Sequence, residues 1–183
     1  MANFTAFRNG FTYEAATSIL NVSLSTLKRF VDKSLLQYRP AQNRYQIHEL
    51  MRQYLVEMKA KHDINQDSLL DQHCDYYLAL LHEQEQILKG SNQRKALGSI
   101  ENEFENIRAA WGRAVEHRQD GLLIKAAHSL GYFCKWSGRY LEGEQLFALA
   151  SGGFNNNQAV QLLSLIHISE PRDKRQSRMP SSA

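Results

Sequence analysis

The run Arg44-Tyr45-Gln46-Ile47 gives way at His48 to Glu49-Leu50-Met51-Arg52-Gln53-Tyr54, so a β-branched and aromatic strand turns at once into an amphipathic helix. No other feature constrains the chain as much, because it fixes a corner in space and puts an imidazole on it. The N–H groups of a first helical turn lack partners and the helix dipole is positive there, so a corner of this kind favours an anion. A histidine at that place can add a hydrogen bond to a phosphate. Upstream, Leu35-Leu36-Gln37-Tyr38-Arg39 reads as a partner strand. Pro40-Ala41-Gln42-Asn43 is the turn between them, since Pro fixes φ and Asn tolerates turn geometry. Two short helices come first. One opens with Thr12 as N-cap, carries Ala15, Ala16, Ile19 and Leu20, and breaks at Asn21-Val22-Ser23. The second is capped by Ser23 or Ser25 and puts Leu24, Leu27, Phe30 and Val31 on its core face.

Helix, helix, hairpin, helix is the order of a winged helix. Residues 1–61 are therefore read as a partial winged-helix domain, its usual first helix missing or reduced to a stub before Phe11. Ile47-His48-Glu49-Leu50 resembles the Met-His-Asp-Leu signature in the winged helix of STAND-class signalling NTPases, bacterial members of the NB-ARC type included. Ile47 replaces the Met and Glu49 the Asp. The stretch Glu101-Asn102-Glu103-Phe104-Glu105-Asn106-Ile107-Arg108-Ala109-Ala110-Trp111 also looks like the segment that follows the winged helix in bacterial STAND regulators. The resemblance implies that His48 touches a phosphate of bound ADP on the nucleotide-binding domain of a parent protein and favours its closed, inactive state. It implies that Glu49 orients the imidazole or closes the helix start. ADP or ATP would belong to that parent, with no cofactor expected in the isolated chain.

A polar stretch, His62-Asp63-Ile64-Asn65-Gln66, marks the expected domain boundary. Residues 66–155 then read as helical throughout. Leu69, Leu70, Tyr76, Tyr77, Leu80 and Leu81 mark one helix ending near Gly90, and Ile100, Phe104, Ile107, Ala110, Trp111 and Ala114 mark the next. Residues 122–136 and 140–150 form two more, parted by Ser137-Gly138-Arg139. The last pair resembles a tetratricopeptide repeat, whose pattern runs W-x2-L-G-x2-Y, A-x3-F, P. Leu130-Gly131 matches the Leu-Gly, and Gly143, Phe147 and Ala150 fall at the later offsets. Ala127, Cys134 and Asn155 stand where Trp, Tyr and Pro are expected. Stacked antiparallel helix pairs follow, a fold that presents a surface to a protein or peptide. The fold class is thus mainly α, with one short hairpin as a wing.

Charge is uneven. Residues 1–61 hold nine Lys/Arg against four Asp/Glu, a balance of +5, whereas residues 62–162 hold nine against thirteen, a balance of −4. The basic first part supports an alternative function, a DNA-binding winged helix with a helical effector domain. Its second helix would offer Ser25, Thr26, Lys28, Arg29 and Lys33 to the major groove, and its wing Arg39 and Arg44. The core face of that helix and the lack of a dimerisation signal count against it. Residues 163–183 are another kind of sequence. Leu163-Ser164-Leu165-Ile166-His167-Ile168-Ser169-Glu170-Pro171 resembles the translation of a sequencing adaptor, and this tail is read as non-native. Both ends of the chain are then expected to lie inside a longer protein.

The chain is not expected to be an enzyme. It holds no G-x-x-x-x-G-K-[ST], no G-x-G-x-x-G and no G-x-S-x-G. His48-Glu49 fails as H-E-x-x-H because Arg52 takes the second ligand position. His62, His73, His82, His117 and His128 are scattered along helices, where surface or core packing is their expected use. Cys74 and Cys134 have neither redox nor metal spacing and read as buried thiols of a cytoplasmic protein. Met1-Ala2-Asn3-Phe4 shows no basic region followed by an apolar stretch, so no secretory leader is expected, and no apolar run reaches the roughly 18 residues a membrane span needs.

Overall fold

The computed structural model describes residues 2–62 and 66–150. Within them the chain is mainly helical, with one antiparallel hairpin of two strands. Much of the expected boundary at 62–66 lies outside the described residues, as do Asn155 and the tail at 163–183.

Local signals set the first elements. Helix α1 (Tyr13–Leu20) starts at Thr12, whose hydroxyl accepts from the Ala15 N–H at 3.2 Å, and it ends on Asn21 at φ 51°. Helix α2 (Leu24–Asp32) is capped by Ser23, which accepts from the Thr26 N–H at 3.3 Å. Leu27 is buried, but Leu24, expected on the core face, is 42% exposed. It occupies the first turn of α2 and lines an open groove shared with Tyr38 and Tyr45 of the hairpin, so it is only partly covered. Strands β1 (Leu36–Arg39) and β2 (Arg44–Ile47) pair from Leu36–Ile47 to Arg39–Arg44 around the 3-10 turn Pro40–Gln42.

The stub before Phe11 has a role the sequence did not display. The 3-10 segment Ala2–Ala6 buries Phe4, and Phe7 and Phe11 follow it into the core. Their rings stack, Phe7 on Phe11 at 4.4 Å and Phe4 on Phe11 at 5.2 Å. Phe11 also exchanges two backbone hydrogen bonds with Tyr45, at 2.9 and 2.8 Å, so the second edge of β2 is covered at that residue. Gly10 makes this approach possible. It sits at φ 90°, and a Cβ there would lie 2.6 Å from the Tyr45 carbonyl oxygen. Gly10→Ala should therefore lower the unfolding free energy by roughly 1–3 kcal/mol, read from urea denaturation of the full chain. No change in the midpoint would refute the close approach.

Helices α3 (Glu49–His62), α4 (Asp67–Lys89), α5 (Gln93–Glu116), α6 (Asp120–Ser137) and α7 (Tyr140–Ala150) follow. Helix α4 packs along α5 and α6, and α7 along α5 and α6. Leu130, Gly131, Gly143, Phe147 and Ala150 are all buried, as their spacing requires. Trp111 of α5 holds α7: its ring meets Phe147 edge-on at 5.6 Å, and its indole N–H donates to the Leu146 carbonyl at 2.8 Å. The α6–α7 turn closes on Gly138 at φ 74°, and Arg139 then binds both oxygens of Glu142 at 2.7 and 2.8 Å. The buried residues form one continuous cluster from Phe4 to Ala150, so the hairpin part and the helical part share a core. No described helix is long and apolar enough to cross a membrane.

Candidate functional site

The corner between β2 and α3 is built as the sequence indicates. Ile47 is buried and ends the strand, and His48 is exposed. The His48 carbonyl accepts from the Arg52 N–H at 2.9 Å, the first bond of the helix, and its Nδ1 accepts from the Leu50 N–H at 3.3 Å. His48 is therefore the N-cap of α3. With Nδ1 accepting, the proton of the neutral ring sits on Nε2, which is left as a donor.

Helix α3 is held from below. Arg52 donates to the carbonyl of Thr5 at 3.0 Å and to that of Phe7, which ties the helix to the N-terminal segment. Burial lowers the pKa of this guanidinium, Arg8 acts the same way, and Glu49 opposes. Leu55 is buried and Met51 half-buried, whereas Leu50 is 70% and Tyr54 56% exposed one turn apart. A polar cavity of about 350 Å³ lies beside the corner, lined by Arg8, Asn9, Gln46, Glu49, Arg52 and Glu105 among others.

The residues read as DNA contacts divide. Ser25, Lys28, Arg29, Lys33 and Arg39 are exposed, and Thr26 is half-buried, its hydroxyl 3.0 Å from that of Ser23. Arg44 is not at the surface. It is 6% exposed and forms a two-pronged ion pair with Glu103 of α5, its Nη2 donating to Oε2 at 3.2 Å. A guanidinium so committed offers nothing to a phosphate, which leaves Arg39 as the basic residue of the hairpin that faces outward. An apolar groove of about 420 Å³ runs between α1, α2 and the hairpin, over Tyr13, Leu24, Val31, Tyr38 and Tyr45.

Sequence reading missed Glu103 and Asn106. Asn106 donates to the Gly10 carbonyl at 3.0 Å and to Glu103 Oε2 at 2.9 Å, and accepts from the Arg8 N–H at 2.6 Å. A signal was present: Glu103 falls on the apolar stripe of α5, three residues after Ile100 and four before Ile107. An acid at a core position needs a buried partner. Beside this cluster His73 is 2% exposed, its ring 4.6 Å from that of Tyr77 and 5.8 Å from that of Phe7. Burial pushes its pKa down to about 4, opposed by Asn106 and aided by Arg8. Burial likewise pushes the Cys74 and Cys134 thiols up to about 12. Among the described residues no group of His, Cys, Asp and Glu is placed to hold a metal ion. Comparison with protein-family models, with curated proteins and with solved structures finds no match to this chain.

Proposed function

We propose that this chain is a regulatory and protein-interaction module of a STAND-class signalling ATPase or transcriptional regulator, acting by binding and not by catalysis. Residues 1–61 serve as its partial winged helix, and residues 66–155 as the tetratricopeptide-like region that takes a protein or peptide partner. The observation that carries this reading is the exposed His48 at the strand-to-helix corner with a donor nitrogen free. Beside it, Leu50 and Tyr54 stay uncovered, as a face that meets another domain would be. The partner of that face is the nucleotide-binding domain of the parent protein, and the ligand of His48 is a phosphate of ADP.

Binding of an effector to the helical repeats then shifts a two-state equilibrium away from the ADP-bound form. A charged hydrogen bond to phosphate is worth roughly 1.5–3 kcal/mol, or about one to two factors of ten in population. His48→Ala in the parent should accordingly lose ADP and favour the open, oligomeric state. In the present chain it should cost only a helix cap, on the order of 1 kcal/mol. Nucleotide content and oligomeric state of the purified parent, wild type against variant, decide the matter. Equal ADP retention in both removes the role given to His48.

DNA binding is the second reading, and the exposure of Leu24, Ser25, Lys28 and Arg29 along α2 favours it, because more of that helix faces outward than its apolar pattern suggested. Without Arg44 few basic residues remain to neutralise phosphates, so affinity for duplex DNA should be weak and fade near 150 mM salt. A sequence-specific footprint at that salt would reverse the ranking.

A further inference from the structure

The hairpin part and the helical part meet through two kinds of contact. One is apolar: Phe7, Phe11, Ala15, Ala16 and Tyr45 belong to the same cluster as Tyr77 and Leu78 of α4. Burial of apolar surface is strong but without direction, so by itself it tolerates sliding and rotation between the parts. The other is polar and directional. Arg44 of β2 forks onto both carboxylate oxygens of Glu103. Asn106, one turn further along α5, bonds Glu103, the Gly10 carbonyl and the Arg8 N–H. Arg44 and Glu103 side chains are each 7% exposed, and Asn106 is fully buried. These bonds join residues 59, 96 and 98 positions apart, so they fix the hairpin part to α5 at three points of its backbone and side chains.

We infer that Arg44, Glu103 and Asn106 form an orientation lock, which sets the one angle at which the helical scaffold presents the hairpin and the His48 corner. Buried ion pairs contribute little net stability against apolar replacements of similar size, and their best-attested use is to select one arrangement over others. A planar guanidinium, a carboxylate and a carboxamide each demand narrow geometry. Any rotation of the hairpin part would leave buried charges and a buried amide unmet. The lock is a property of this chain alone and holds whatever ligand His48 takes, so neither it nor the nucleotide reading falls with the other.

The test uses the full chain with spin labels on Gln37→Cys of β1 and Lys125→Cys of α6, both exposed positions. Cys74 and Cys134 are buried thiols with raised pKa values and resist labelling under native conditions. Pulsed electron-electron distance measurements should give one narrow distribution in this background. The triple variant Arg44→Met, Glu103→Leu, Asn106→Leu should keep the helical circular dichroism signal while the distribution widens at least twofold or splits. Should the triple variant lose its helical signal, the double variant Arg44→Met, Glu103→Leu decides by the same two readouts. A distribution that stays narrow in a folded variant overturns the lock. So does a double variant that unfolds, since the pair would then be a requirement of folding, or a broad distribution in the unmodified background.

Discussion

Glu103→Ala should lower the unfolding free energy of the chain by roughly 3–5 kcal/mol, among the largest effects expected of any single substitution here. Removal of the carboxylate leaves the Arg44 guanidinium buried with no counter-charge, and Asn106 loses one of its three partners. The cost comes from that uncompensated charge and not from the worth of the pair. Arg44→Ala should act the same way, leaving the Glu103 carboxylate alone. Arg44→Met with Glu103→Leu should recover most of the loss, because neither charge then remains to be buried. Urea denaturation of the four proteins compares these losses directly. A loss under about 1 kcal/mol for Glu103→Ala would mean that water reaches the pair and that it behaves as a surface contact.

The same pair shows where sequence reading reached its limit. Thr12 and Asn43 could be assigned, and the cap of α2 narrowed to Ser23 or Ser25, from neighbours within a few residues, because a cap or a turn is decided locally. The burial of Leu130, Gly131, Gly143, Phe147 and Ala150 was legible because their offsets match a pattern of packed helix pairs. Arg44 reads as a wing cation in the sequence because a charge tally along a chain holds no burial. Its partner lies 59 residues away on another helix. Leu24 failed for a related reason: periodicity names the apolar face of α2 but not which of its residues pack closely and which line an open groove. The N-terminal stub looked like remnant sequence, yet Phe4, Phe7 and Phe11 supply the stacked rings under β2, and two of its carbonyls hold Arg52. The site was visible as a corner, whereas the support beneath it depends on contacts between distant parts of the chain. Glu103 on an apolar stripe was the one sequence-level hint of that support.

Acidification from pH 7 to about 4.5 should destabilise the chain by up to roughly 3 kcal/mol, and His73 should be the main cause. Its pKa stands near 4 in the folded chain, against an ordinary value of 6.5, because burial penalises the imidazolium. The unfolded chain therefore binds this proton more tightly than the folded one. The contribution to stability is complete above about pH 6.5 and is lost as the pH falls toward 4, where the folded form takes up the proton as well. Asn106 favours the charged ring by a hydrogen bond but is outweighed by burial: Arg8 repels the charge, Phe7 and Tyr77 flank it, and Glu103 is already committed to Arg44 and Asn106. His73→Leu should abolish most of the loss across this window while keeping the site apolar. Urea midpoints at pH 7 and 4.5, for both proteins, give the comparison, and parallel losses in the two would show that His73 is not responsible. The consequence reaches the candidate site, because Phe7 packs on His73 with its ring and holds Arg52 of α3 with its carbonyl. An imidazolium forced outward at that point displaces the segment on which the His48 corner rests, so α3 should lose amide-exchange protection at pH values where α6 still keeps it.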